Sequence, residues 1–153
     1  MNCNGRIIYL AMHAMYMHEL KRIVDIEFKD IIRQNAWLDD SLDFLLEALD
    51  HLDRGEDSLA EFKLSKAKQS IEIWLEKCKC LPDRIKQTVA DTARLLIERV
   101  WSMHGNIEDE LKATELIQAL YELIETAKIV CVIARWEKIR EKIDKKLLNA
   151  NAF

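Results

Sequence analysis

A chain of 153 residues is long enough to bury one hydrophobic core and too short for two comfortable ones, so 1–153 is read as a single domain. Half of the residues are hydrophobic and 33% are charged, a balance that suits amphipathic helices and argues against disorder, while three glycines and one proline leave little turn chemistry and argue against a fold of many short strands. The formal charge of −4 supplies no global basic field, so RNA would have to be held by a local patch or a few placed cations.

The pattern of apolar spacing predicts an all-α protein, an antiparallel helical bundle of about five helices with a long C-terminal helix. The N-terminal helix occupies 1–38: the stretch 6–34 is rich in Ile, Leu, Met and Tyr, has no breaker, and reads as a long, well-covered helix packed across the others or against another chain. The bundle core spans 39–149. Its first helix, 39–54, carries Leu42, Leu45, Leu46, Leu49 and Leu52 at three-and-four spacing, with Asp39 or Asp40 as its cap and Gly55 as its stop. The next begins near Asp57 or Ser58, runs through Ala60, Leu64, Ala67, Ile71, Trp74, Leu75 and Cys78, and ends near Cys80. Pro82 suits the first turn of a further helix whose apolar series, Ile85, Val89, Ala93, Leu96, Ile97 and Val100, leads to Gly105. From 107 to 149 there is neither glycine nor proline, which is compatible with one long helix, although a bend near Arg135 and Trp136 stays open. Residues 150–153 read as a fraying tail.

No run approaches the length of a membrane span, and the opening stretch lacks the apolar core of a secretion signal; both point to a soluble, cytoplasmic protein without a membrane partner. Cys3, Cys78, Cys80 and Cys131 show no regular framework, so reduced thiols are expected. Cys78 and Cys80 form a C-x-C beside two lysines. On a helix such side chains face different ways, and no dense ligand cluster accompanies them, so neither a metal nor another cofactor is expected.

Three constellations carry chemistry. Arg99 and His104 close the predicted fourth helix; an imidazole moves protons near neutral pH and a guanidinium holds phosphate, a combination suited to cleaving RNA through its 2′-hydroxyl. Five positions on a regular helix turn through about 500°, leaving the two side chains roughly 140° apart, so they share a site only if the helix ends at His104 or a second subunit contributes. The ordinary alternative is a surface ion pair at Arg99 and a helix-terminating His104. Asp40, Asp43, Glu47 and Asp50 form an acidic row that could bind Mg²⁺ with help from another helix, and otherwise is the solvated face opposite the leucines. Glu122 and Glu125, followed by Glu141 and Asp144, resemble the acidic pattern of MazG-type Mg-dependent nucleotide pyrophosphohydrolases, in which the acids must face one another across two helices. The run holding Met12, His13, Met15, Met17 and His18 reads as packing for a core or partner surface rather than a soft-metal site. Lys138, Arg140, Lys142, Lys145 and Lys146 make the last helix locally basic among interleaved acids.

Residues 50–67, in which a helix ends at Gly55 and a second, rich in Ala and Lys, begins, resemble the hairpin of HEPN proteins, most of all their archaeal paralogous-repeat branch. Trp101 to Gly105, followed by Ile107 to Glu110, also resembles HEPN sequences, in which an R-x4–6-H motif precedes the final helix; together the likeness covers roughly residues 40 to 130. The resemblance implies a helical bundle that commonly forms a homodimer and, in active members, cuts RNA without a metal, in toxin–antitoxin or defence settings. Arg99 and His104 match the motif, with His104 as general acid/base and Arg99 as phosphate or transition-state stabiliser. Val100 stands where a polar residue often follows the family's arginine. A non-catalytic module that dimerises or binds a protein partner through its N-terminal helix is the second expectation.

Overall fold

The computed structural model describes residues 3–103 and 107–151. They form five helices and no strand: α1 Cys3–Gln34, α2 Ala36–Asp53, α3 Asp57–Lys77, α4 Asp83–Ser102 and α5 Ile107–Asn151. The all-α expectation holds, as does the long last helix. No helix among the described residues is long and apolar enough to cross a membrane.

The α2–α3 hairpin is the most closely packed pair, and the sequence explains why. Ala48, Ala60 and Ala67 are fully buried between the two helices, and such small side chains let backbones approach closely. Gly55 makes the reversal. Its φ of +76° is a conformation that costs glycine little; its N–H donates to the Leu52 carbonyl at 3.0 Å, and the Glu56 N–H donates to the His51 carbonyl at 2.9 Å. These paired bonds satisfy two of the carbonyls that a helix end leaves free.

Around this hairpin lie α4 and the first half of α5. Trp74, Leu45, Ile71, Ile97, Val100, Leu120 and Ile124 are essentially inaccessible and form one continuous core with Leu38 and Ile31. On α5 the buried positions Leu120, Ile124, Ala127 and Cys131 repeat at three and four, the helical stripe that faces a core. The second half of α5 leaves this bundle and runs antiparallel to α1. The pairing places Asn35 beside Cys131, Asp30 beside Arg135, and Glu19 beside Lys146. The molecule is therefore a four-helix bundle continued by a two-helix arm, with α5 common to both.

Several boundaries differ from the sequence expectation. α2 starts at Ala36, after Asn35, so Asp39 and Asp40 lie inside the helix instead of capping it. α3 stops at Lys77, three residues early, because Cys78 turns to an extended conformation with φ −71° and ψ 121°. Pro82 sits just before α4, its carbonyl accepting the Lys86 N–H at 3.0 Å, rather than in the first turn. Leu46 and Ile85, counted among the core stripes, are 43% and 40% exposed. α5 has no break at Arg135 or Trp136. The largest departure concerns α1, expected to be well covered: every residue from 5 to 15 is exposed in the single chain.

Candidate functional site

Arg99 lies in the last turn of α4 and is exposed, while its neighbour Val100 turns into the core and is fully buried. The helix closes there in a short turn: the Met103 N–H donates to the carbonyls of Arg99 and Val100, and the Ser102 hydroxyl donates to the Arg99 carbonyl at 2.9 Å. Arg99, Met103, Lys112, Glu115 and Leu116 line an open depression of about 400 Å³ between the end of α4 and the start of α5. Two cations thus border one hollow at the corner that the R-x4–6-H reading singles out. His104 and Gly105 lie outside the described residues.

The acidic row on α2 is solvated, as its spacing suggests. Glu47 pairs with Lys63 at 2.8 Å and Asp50 with Arg54 at 2.7 Å, while partial burial, reinforced by Asp40, Asp39 and Glu47, raises the Asp43 carboxyl above its ordinary value. The MazG-like acids are not brought together by any fold of the chain. Glu122 and Glu141 lie on the same unbroken helix, about 28 Å apart along its axis at 1.5 Å per residue. In the Met-rich run, Tyr9 and His13 stack with ring centres 6.4 Å apart, and Met12, Met15 and Met17 are exposed.

The arm holds a network of partly buried ion pairs. Arg135 donates to Glu27 at 3.0 Å and also to Asp30, and Lys142 donates to Glu27 at 2.5 Å. The hydrogen bond from Lys142, helped by Arg135, holds Glu27 below the usual carboxylate range against the opposing effect of burial. Burial pushes Asp30 up, but hydrogen bonds from Arg135 and Arg33 outweigh it and leave the carboxyl low. The basic C-terminal segment thus serves partly to bind α1. Arg22, Lys142, Lys145 and Lys146 border a groove with Ile23 and Ile26, yet Lys146 already pairs with Glu19 at 3.7 Å and Arg22 with the same carboxylate at 3.0 Å.

Where bundle meets arm, the structure assembles a cluster that the sequence reading dismissed. Because α3 ends before it, the C-x-C segment leaves helical geometry at Cys78, whose backbone is extended, and the roughly 200° that two helical positions would put between the side chains no longer applies. Cys78 and Cys80 therefore lie with their sulfurs 3.6 Å apart, and Cys131 joins them from α5 as the disulfide partner of Cys80. The expectation of four reduced thiols is corrected for this pair: the fold brings the α carbons of Cys80 and Cys131 to 5.2 Å, within ordinary disulfide reach, although 51 positions separate them. Asn35 is fully buried beside them, accepting a hydrogen bond from the Trp74 indole at 3.0 Å and donating to the Ile31 carbonyl at 2.8 Å. Lys86 reaches under the end of α3 and donates to the carbonyls of Leu75 and Cys78, both at 3.0 Å. The sequence carried only part of this signal: Pro82 disfavours helix at Leu81, which sets a stop after Cys80 but not the earlier one at Lys77 that frees both cysteines.

The chain matches no protein-family model, no curated protein and no solved structure.

Proposed function

We propose that the chain is a helical assembly module that forms a homodimer through the apolar arm of α1. The observation that carries this reading is the stretch 5–15, eleven exposed residues in continuous helix, of which Ile7, Ile8, Tyr9, Leu10, Met12 and Met15 are large and apolar. An isolated helix of that length is marginal in water, and a helix apolar on all sides is normally buried. From 5 to 17 the only formally charged side chain is Arg6. Two copies can therefore meet antiparallel with little like-charge opposition, and the depletion of charge matches the core of an interface. In the register that sets Glu19 beside Lys146, most of the stretch 5–15 lies past Asn151, where α5 ends, so it is α1 of a second copy that covers it, helix on helix about a two-fold axis. Each large side chain contributes roughly 1 kcal/mol when its exposed part is covered, so the six supply a gross gain of about 6 kcal/mol per protomer before the cost of association.

The test is the mass of the full chain in solution across micromolar concentrations. A particle of twice 18.0 kDa is expected for the wild type and a monomer for Ile8→Glu with Met15→Glu, both still helical by circular dichroism. A monomeric wild type, or a variant that dimerises unchanged, overturns the proposal.

A second reading is supported by the corner of α4 and α5. Exposed Arg99 and nearby Lys112 face one hollow, as a phosphate-holding site requires, and His104 follows Arg99 in the spacing of the HEPN motif. In that reading the dimer binds RNA and cuts it without a metal, His104 acting as general acid/base and Arg99 steadying the phosphate.

A further inference from the structure

We propose that Cys78, Cys80 and Cys131, when all three are reduced, hold one thiophilic metal cation at the junction of bundle and arm, with Cu(I) as the best match. The three sulfurs lie within 4.8 Å of one another and all three residues are buried. A triangle of that size can close around a single ion at metal–sulfur distances of about 2.3 Å. The same triangle is poorly shaped for direct thiol–disulfide exchange. With Cys78 3.6 Å from Cys80 and no more than 4.8 Å from Cys131, an ordinary disulfide length puts the approach of Cys78 at about 115° or less to the Cys80–Cys131 bond, far from in line. The third thiol is placed beside the pair as a ligand would be, not behind it as an attacking group would be.

The surroundings suit a cation bound by thiolates. The Asn35 amide is oriented by its acceptance of the Trp74 indole N–H, so its NH2 group faces the sulfurs, 3.5 Å from Cys131 and 3.9 Å from Cys80. A neutral sulfur is a weak acceptor, whereas a thiolate makes a charge-assisted bond, so this fully buried donor gains most when the sulfurs are ionised. The carbonyl end of α3 carries a partial negative charge that favours cations, and the Lys86 ammonium on the Cys78 carbonyl offsets part of the charge of the thiolates. No histidine or carboxylate joins the cluster among the described residues. Three sulfur ligands alone suit three-coordinate Cu(I); a structural Zn²⁺ site takes four ligands.

The disulfide and the metal site are alternative states of the same sulfurs. A phosphine reductant opens Cys80–Cys131: two electrons pass from phosphorus to the two sulfurs, which take protons from water, and the water oxygen ends on the phosphine oxide. Binding then displaces protons from the thiols as the metal–sulfur bonds form.

The experiment uses the full chain, reduced anaerobically with a phosphine, loaded with Cu(I) or with Zn(II) against a competing chelator and separated by gel filtration, with helicity followed throughout. One copper per chain is expected, retained by Cys3→Ser and lost by Cys78→Ser, a variant that keeps the Cys80–Cys131 disulfide available for folding in its oxidised form. Asn35→Ala should weaken retention roughly 10- to 100-fold. Absence of retained copper in the reduced wild type, copper held equally by Cys78→Ser, or tighter retention of Zn(II) than of Cu(I) overturns the assignment.

Discussion

Replacing Arg135 by Met tests how the arm is held. The side chain is 16% exposed, and its partners Glu27 and Asp30 are 10% and 22% exposed, so the network lies between the exposed and the buried regimes. Exposed pairs contribute 0 to about 1 kcal/mol, and removal of one partner from a buried pair costs about 3–5 kcal/mol. Both acids keep other donors, Lys142 for Glu27 and Arg33 with Gln34 for Asp30, while Met preserves much of the packing of the arginine stem. These considerations place the loss at about 2 kcal/mol, equivalent to roughly a 30-fold shift in an opening equilibrium. The loss should be local. α1 docks mainly on α5 and touches α2 only at its end, so amide exchange in α1 around Ile23 and Ile31 should accelerate by that factor while α2 and α3 change little.

The acid limb gives a second readout of the same variant. Glu27 and Asp30 have folded pKa values below their ordinary 4.5 and 3.8, so their contribution is fully present above about pH 4.5 and is lost as pH falls through the lower folded values. Without Arg135, burial is less well opposed at Asp30, its pKa rises, and arm opening should depend less on pH below the ordinary carboxylate range. Unchanged α1 exchange together with an unchanged acid profile would refute the role given to this network.

Two further perturbations address the core and the α4 corner. Lys86→Met removes two hydrogen bonds from a cation to the end of α3 and should cost about 2 kcal/mol in urea denaturation, lowering the melting temperature by roughly 4–8 °C; an unchanged midpoint would show that these carbonyls find other partners. If the RNA reading holds, wild-type protein cleaves RNA in EDTA and Arg99→Ala and His104→Ala each lose at least 100-fold in rate, whereas cleavage surviving in either variant removes that residue from the assignment.

Legibility followed the strength of local signals. The leucine stripe of α2 and the glycine after it predicted a helix and its stop, and Gly55 supplies the positive φ that this ending uses. The uninterrupted run after 107 predicted the length of α5, which tertiary packing leaves unbroken. Where one residue decides between two geometries, the pattern was insufficient. Asn35 begins a new helix without a side-chain cap, its amide being committed instead to Trp74 and Ile31, so the expected cap at Asp39 or Asp40 lies four or five residues too late. Treating Cys78 and Cys80 as helical separated their side chains by periodicity; the turn before Pro82 reunites them, and Cys131 arrives from a helix 51 positions further along the chain. No spacing rule relates positions 80 and 131, because their proximity exists only once α3, α4 and α5 have packed.

The arrangement of α5 explains why the junction and the arm form one problem. Its bundle-facing stripe ends at Cys131, and the next turn presents Arg135, then Ile139 and Lys142, to α1. One unbroken helix therefore changes partner along its length, and it does so where Asn35 breaks α1 from α2. An apolar contact at that point would hold the helices together but would set their rotation weakly. The Trp74–Asn35 hydrogen bond and the cysteine cluster are directional, and both connect the α1–α2 break to elements outside it. They fix the direction in which α1 leaves the bundle, while the charge network beyond them fixes its register on α5. The apolar end of α1 is consequently presented at a defined angle, a precondition for the self-complementary docking that the proposed dimer requires.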